Sequence, residues 1–183
     1  TLRTKITMES IVNRSKASQN KEELLQLLTQ VATIEPKVVL EIGAWKGWLL
    51  ETFNEAFNPI YLLGIEIDSK NIDLDVEKTL SIMTADSHHR NTVKKVKSYF
   101  DNKPIDFLFI DADHTYEAVK TDFDMYSPLV RKGGYIGFHD IALVGDKWEG
   151  LVEVSRFWND IKRKYTYYEY FGKNGTGTGL IQI

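Results

Sequence analysis

Cysteine is absent from this 183-residue chain. That excludes disulfides, cysteine zinc sites and thiol catalysis. Long apolar runs are absent too, and none approaches the ~20 residues of a membrane-spanning helix. Thr1 to Thr7 is polar and basic and lacks the apolar core of a signal peptide, so a cytoplasmic location is the expectation. Net charge is small, −3 at neutral pH, which argues against nucleic-acid binding driven by bulk charge. No internal repeat, linker or break in composition divides the chain. One domain over residues 1–183 is expected, with an N-terminal arm and helix over 1–35 and a core over 36–183. What is present suits a folded protein: 43% hydrophobic and 27% charged residues.

The stretch from Val38 to Leu50 organises the rest. A short apolar run, Val38 to Leu40, ends at Glu41. Gly43 and Gly47 follow, and then an apolar stretch with helical spacing begins, carrying Leu49, Leu50, Phe53, Ala56 and Phe57. That is the layout of a buried strand, a tight turn and a helix. Upstream, Thr1 to Ser18 reads as a loose arm. Asn20-Lys21-Glu22-Glu23 has the spacing of a capping box and opens a helix with Leu24, Leu25, Leu27, Leu28 and Val31 inward, stopped before Pro36.

Downstream, further strands are expected at Ile60–Ile67, Leu80–Thr84, Ile105–Ile110 and Tyr135–Phe138. Between them fall a short helix or loop at 69–79, a surface helix at Asn91–Phe100, and a helix at Tyr116–Leu129, followed by a turn at Lys132-Gly133-Gly134. A helix at Trp148–Lys164 leads to a closing hairpin, Thr166–Phe171 and Thr178–Ile183, joined by a flexible glycine-rich loop. The alternation predicts an α/β fold, a doubly wound and mainly parallel seven-stranded sheet whose last strand is antiparallel.

In open sheets of this kind, ligands bind beyond the carboxyl ends of the strands. Five predicted strands end in polar residues: Glu41; Glu66; Asp86; Asp111 with Asp113 and His114; and His139 with Asp140. Glu41-Ile-Gly43-Ala-Trp-Lys-Gly47 resembles the glycine loop of class I S-adenosylmethionine-dependent methyltransferases, with Trp45 where many members have a middle glycine. The segment from Ile105 to Glu117, with Asp122, Gly133-Gly134 and Phe138-His139-Asp140, is similar to the small stand-alone branch grouped with sugar and antibiotic O-methyltransferases.

The resemblance implies a cofactor site of Glu41, Gly43, Ala44, Trp45, Gly47, Glu66, Ile67, Asp86, Ser87 and Asp111. Glu66 would hold the ribose hydroxyls, since a carboxylate can accept two hydrogen bonds from a vicinal diol. Asp86 and Ser87 would sit near the adenine. His114, with an ordinary pKa near neutrality, is the candidate base, followed by His139; Asp111 is grouped with them. Metal-dependent relatives bind magnesium at the positions of Asp111, His139 and Asp140. Here one ligand is an imidazole, which suits a softer divalent ion better than magnesium.

The implied acceptor is an oxygen of a small molecule or sugar, with homo-oligomerisation left open. Two alternatives stand beside this reading. One is a non-catalytic module that binds S-adenosylmethionine or a nucleotide. The other is an NAD-dependent oxidoreductase, whose Gly-x-Gly-x-x-Gly spacing Gly43 and Gly47 do not match.

Overall fold

The computed structural model describes residues 7–143 and 151–183. Its strands are β1 Val38–Ile42, β2 Tyr61–Glu66, β3 Ile82–Thr84, β4 Ile105–Ile110, β5 Val130–His139, β6 Thr166–Tyr170 and β7 Thr178–Gln182. They form one seven-stranded sheet in the order β3-β2-β1-β4-β5-β7-β6. The pairs β1–β2, β1–β4, β2–β3 and β4–β5 are parallel. Only β7 runs against its neighbours, β5 and β6. The helices are α1 Met8–Arg14, α2 Lys21–Ala32, α3 Trp48–Phe57, α4 Leu74–Glu77, α5 Arg90–Tyr99, α6 Tyr116–Tyr126 and α7 Val154–Ile161. Among the described residues no helix is long and apolar enough to cross a membrane.

Alternation along the strands divides the core between two faces. Val38, Leu40 and Ile42 face α5, α6 and α7, where Val96, Phe123, Phe157 and Trp158 are buried. Val39, Phe107 and Phe109 face α2 and α3, where Leu24, Leu28, Leu50 and Phe53 are buried. Both faces are covered, which is why the central strands read as continuous apolar runs rather than alternating ones. The tyrosines of β6 divide as expected of a strand: Tyr168 and Tyr170 stack on one face, while Tyr167 meets Trp158 on the other.

Several expectations are corrected. The arm expected at 1–18 contains α1, capped by Thr7 and burying Ile11 and Val12; residues 1–6 lie outside the described residues. Glu23 does not complete a capping box. Asn20 accepts from the Glu22 and Glu23 amides, but the Glu23 side chain turns to the 172–178 loop. Ile60 and Ile67 fall outside β2 and are exposed, and β3 begins at Ile82 rather than Leu80. The helix expected at 116–129 is α6 followed by a 3-10 turn, Ser127–Leu129. Gly133-Gly134 is not a turn between elements. It lies inside β5, at a register shift against β4, with Gly133 at φ 79°; a glycine in a strand interior commonly marks such a bulge. The last helix begins at Val154 rather than 148, residues 144–150 lie outside the described residues, and its end tightens to 3-10 at Lys162–Lys164.

Candidate active site

The strand order places the topological switch between β1 and β4, where the chain leaves the sheet in opposite directions. Two tight turns meet there. Gly43 and Ala44 both donate to Ile65 O at 2.9 Å, and the Asp111 amide donates to Ile42 O at 2.9 Å. Gly43 sits at φ 87°, and a Cβ there would lie 2.2 Å from Asp111 O. Trp45 (φ 45°) and Asp140 (φ 63°) also hold left-handed backbone, a conformation that costs non-glycine residues about 1–3 kcal/mol and concentrates at functional sites.

Two cavities open on this edge. The larger, 680 Å³, is lined by Glu66 and Ile67 after β2, by Asp86, Ser87 and His88 after β3, by Asp111 to His114 after β4, and by Leu151. The smaller, 260 Å³, is lined by Ala17 to Gln19, Glu41, Trp48, His139 and Asp140. Gly43, Trp45, Asp111 and His114 line both, so the cavities share one wall.

In the larger cavity Glu66 is buried and already engaged. Its Oε2 accepts from the Trp45 amide at 2.8 Å; its Oε1 accepts from the Asp68 amide at 3.1 Å and Asn71 Nδ2 at 3.0 Å. A carboxylate offers about four acceptor positions, so roughly one remains for a ligand. Asp86 Oδ1 takes the His88 amide at 2.9 Å, and Ser87 O takes the Tyr126 hydroxyl at 2.8 Å. Ile67 is exposed at the cavity wall.

Asp122 is fully buried at the lining of this cavity, with His88 Nε2 3.4 Å from its Oδ1. Burial, the largest influence, raises its pKa against the weaker pull of Ser87 and His88. A carboxyl with a raised folded pKa weakens the fold once pH exceeds its unfolded value, and the penalty reaches its full size above the folded value. Asp122→Asn is therefore expected to raise the thermal midpoint at pH 8, with the gain shrinking toward zero as pH falls to about 4, the ordinary carboxyl range. Midpoints of both proteins across that range check this; a gain that grows on acidification sinks it.

The smaller cavity holds a cluster that no single stretch of sequence contains. His114 Nε2 lies 3.4 Å from Asp111 Oδ1 and 3.0 Å from Asp140 Oδ2. His139 Nδ1 lies 3.4 Å from an oxygen of each of the same carboxylates. Asp111, His139 and Asp140 each offer one ligand atom, all within 4.8 Å of one another, a spacing that could hold a metal ion.

Hydrogen bonds donated to Asp111 and then Asp140 outweigh burial and raise His114 to about 10. Burial would raise Asp111, but His114 and His139 outweigh it and hold Asp111 well below the usual carboxylate range. For His139 burial opposes charge and the pull of Asp111 exceeds it, raising its pKa. The two carboxylates thus move His114 away from the ordinary near-neutral imidazole range, toward its charged form. Glu41, 2% exposed, is raised well above the ordinary value by burial and then by Asp111 and Glu66, and its Oε2 has no partner among the described residues.

Of the expected residues, Gly47 lines neither cavity. It opens α3 at φ 78°, and a Cβ there would lie 2.7 Å from Val76, so close helix packing is what it serves here. Ala44 and Glu41 fall in the smaller cavity only. Two residues went unseen in the sequence. Gln19 Nε2 donates to Asp111 Oδ2 at 2.8 Å, and Thr176 Oγ1 meets His139 Nε2 at 3.2 Å. Both are distant in sequence from the strand ends they touch.

Residues 40–141 match the family model of a methyltransferase domain. A protein of Acanthamoeba polyphaga mimivirus is 29% identical over 159 residues, covering 80% of this chain and 71% of its own length. An O-methyltransferase from Bacillus cereus solved with SAH shares the fold with a TM-score of 0.66 at 17% identity, over 100% of this chain and 93% of that one. The O-methyltransferase TomG from Streptomyces achromogenes, solved with SAM, gives 0.63 at 18% over 86% and 78%. MycE, a methyltransferase of mycinamycin biosynthesis solved with Mg, SAH and mycinamycin VI, gives 0.65 at 15%, over 98% of this chain but 55% of that one. At these identities the solved structures speak for the fold. The family match covers more than half of the chain, and the chain belongs to the methyltransferase-domain family.

Proposed function

We propose that the chain transfers the methyl group of S-adenosylmethionine to an oxygen of a small molecule or sugar. The observation that carries this is the pair of cavities meeting at Gly43, Trp45, Asp111 and His114: one with a volume in the range of small-molecule sites, the other holding titratable groups. The residues fit the cofactor. The Gly43 turn has no space for a side chain between β1 and β4. Glu41 Oε2 is a buried acceptor in want of a donor such as an ammonium group. Glu66 keeps an acceptor position for a ribose hydroxyl, with Asn71 Nδ2 helping to hold its carboxylate in place. Asp111, His139 and Asp140 likewise fit a divalent ion by spacing and donor type.

The sulfonium methyl is already activated, so the chain's main work is to align the acceptor across the shared wall; proximity of this kind can supply several kcal/mol. Trp45, 47% exposed, stands at that wall with its backbone fixed by Glu66. His114 faces the acceptor side, where a base would take the hydroxyl proton. Protonated between two carboxylates, it acts as base only when their charge is offset, and positive charge at Asp111 and Asp140 is what a divalent ion would supply.

Calorimetry of the chain with SAH, S-adenosylmethionine and NAD tests the reading. SAH and S-adenosylmethionine are expected to bind and NAD is not. Glu66→Ala should weaken SAH about 10- to 100-fold, the value of one or two hydrogen bonds to a charged group. Binding of NAD alone, or an unchanged affinity in the variant, overturns it.

A further inference from the structure

Two members of the His-Asp cluster turn one atom toward its centre and another away from it. Asp111 presents Oδ1 to both histidines, while its Oδ2 accepts from Gln19 Nε2 at 2.8 Å. His139 presents Nδ1 to both carboxylates, while its Nε2 meets Thr176 Oγ1 at 3.2 Å. A proton on Nε2 shared with the threonine hydroxyl leaves the Nδ1 lone pair for an ion. Outer partners of this kind fix the orientation and tautomer of metal ligands. The cavity also carries a second sign of an occupant. Gln19 is 8% exposed, and its Oε1 is a buried acceptor without a donor among the described residues. Buried acceptors left in that state call for a cation or a donor-bearing ligand.

We propose that Gln19 and Thr176 are positioning residues of a divalent-cation site formed by Asp111, His139 and Asp140. The inference rests on the cation site of the methyltransferase reading and goes beyond it, because both residues lie outside the matched segment 40–141. Gln19 precedes α2, and Thr176 belongs to the loop between β6 and β7. The two are mechanically joined: Glu23 of α2 accepts from Gly172 and Gly177 in that loop at 3.0 and 3.1 Å. The loop in turn holds the backbone after Asp140, with Ala142 donating to Thr176 O at 2.8 Å and Ile141 to Gly177 O at 3.2 Å. The N-terminal helices and the C-terminal hairpin thus clasp the ligands from two sides.

The test titrates the whole chain with Mn²⁺, reading the unbound ion by electron paramagnetic resonance, and measures SAH affinity on the same samples by calorimetry. Wild type is expected to bind Mn²⁺. Gln19→Met and Thr176→Val should each weaken it about 10- to 100-fold, and Thr176→Ser should retain wild-type affinity. SAH affinity and the metal-free thermal midpoint should stay at wild-type values in all three. The proposal is overturned if wild type takes up no Mn²⁺, or if Gln19→Met and Thr176→Val bind it as wild type does. It is also overturned if they lose SAH binding and thermal stability together with Mn²⁺, since that is general damage. SAH binding by wild type reports on the methyltransferase reading separately: its absence sinks that reading, while the Mn²⁺ series still decides this one.

Discussion

Gly43→Ala is expected to lower stability by about 4 kcal/mol or more, the range reached only when a buried structure cannot relax. The added Cβ would lie 2.2 Å from Asp111 O and 2.6 Å from Ala112 Cα, both backbone atoms. Gly172 and Gly175 would meet neighbours as closely, but those are side-chain atoms of Asn20 and Glu23 rather than backbone. The Asp111 backbone is fixed, because its amide is bonded to Ile42 O. Relief requires β1 and β4 to part at their carboxyl ends, at the wall shared by both cavities. The left-handed backbone, φ 87°, adds about 1 kcal/mol for any residue with a side chain. For a chain of this length the midpoint should fall by about 8–16 °C. Gly133→Ala is the control: it shares a positive φ, but its nearest neighbour is an arginine nitrogen at 3.4 Å, so only the conformational cost applies. Scanning calorimetry of both variants checks this, and a Gly43→Ala midpoint within 2 °C of Gly133→Ala rules it out.

The same glycine shows why the fold could be read from the chain. A parallel strand buried on both faces is a largely apolar run, and Val38–Ile42 and Ile105–Ile110 are runs of that kind, broken only by Glu41 and Asp106. A carboxylate marks the carboxyl end of each, Glu41 one residue before it and Asp111 one residue after it. Elements without that contrast do not stand out in the sequence. α1 has only Ile11 and Val12 to bury, too short a stripe to stand out from a polar arm. The bulge in β5 placed Gly133-Gly134 inside a strand, where local sequence speaks for a turn; pairing with β4 and β7 overrides it.

The site was legible to the extent that it is made of strand ends. Glu66, Asp86, Asp111, His139 and Asp140 were visible because a parallel sheet delivers every carboxyl end to one edge. What the sequence could not carry is how those residues spend their hydrogen-bonding capacity. Glu66 is engaged by Trp45 and Asn71, and His114 is held between two carboxylates contributed by different strands. Those facts depend on distances across the sheet, and they change the chemistry: a histidine with an ordinary near-neutral pKa is drawn toward its charged form. Gln19 was unseen for a related reason. A lone glutamine before a helix has no local pattern that tells a structural role from a functional one, and only the packing of α2 against the sheet brings it to Asp111.

Glu23 carries the other large effect. It is fully buried in the first turn of α2, where the helix N-terminus favours a negative charge. Its Oε1 accepts from the Gly172 and Gly177 amides at 3.0 and 3.1 Å, and its Oε2 from Thr178 Oγ1 at 3.3 Å. Glu23→Ala removes the acceptors of three donors at once. Each buried donor left unmatched costs about 1–3 kcal/mol, and water entering the vacated space offsets part, so a loss of about 3–5 kcal/mol is expected. Glu23→Gln should cost only about 1 kcal/mol. Its carbonyl can keep both glycine amides, and its amide nitrogen can donate to the threonine hydroxyl. Urea unfolding of the two variants separates them; equal losses mean that the charge, not the geometry of acceptance, holds the loop. Because that loop carries Thr176, Glu23→Ala should also lower Mn²⁺ affinity while SAH affinity is spared, since neither Glu41 nor the lining of the larger cavity belongs to α2 or the hairpin. Loss of both affinities in parallel would mean instead that the clasp supports the whole carboxyl edge of the sheet.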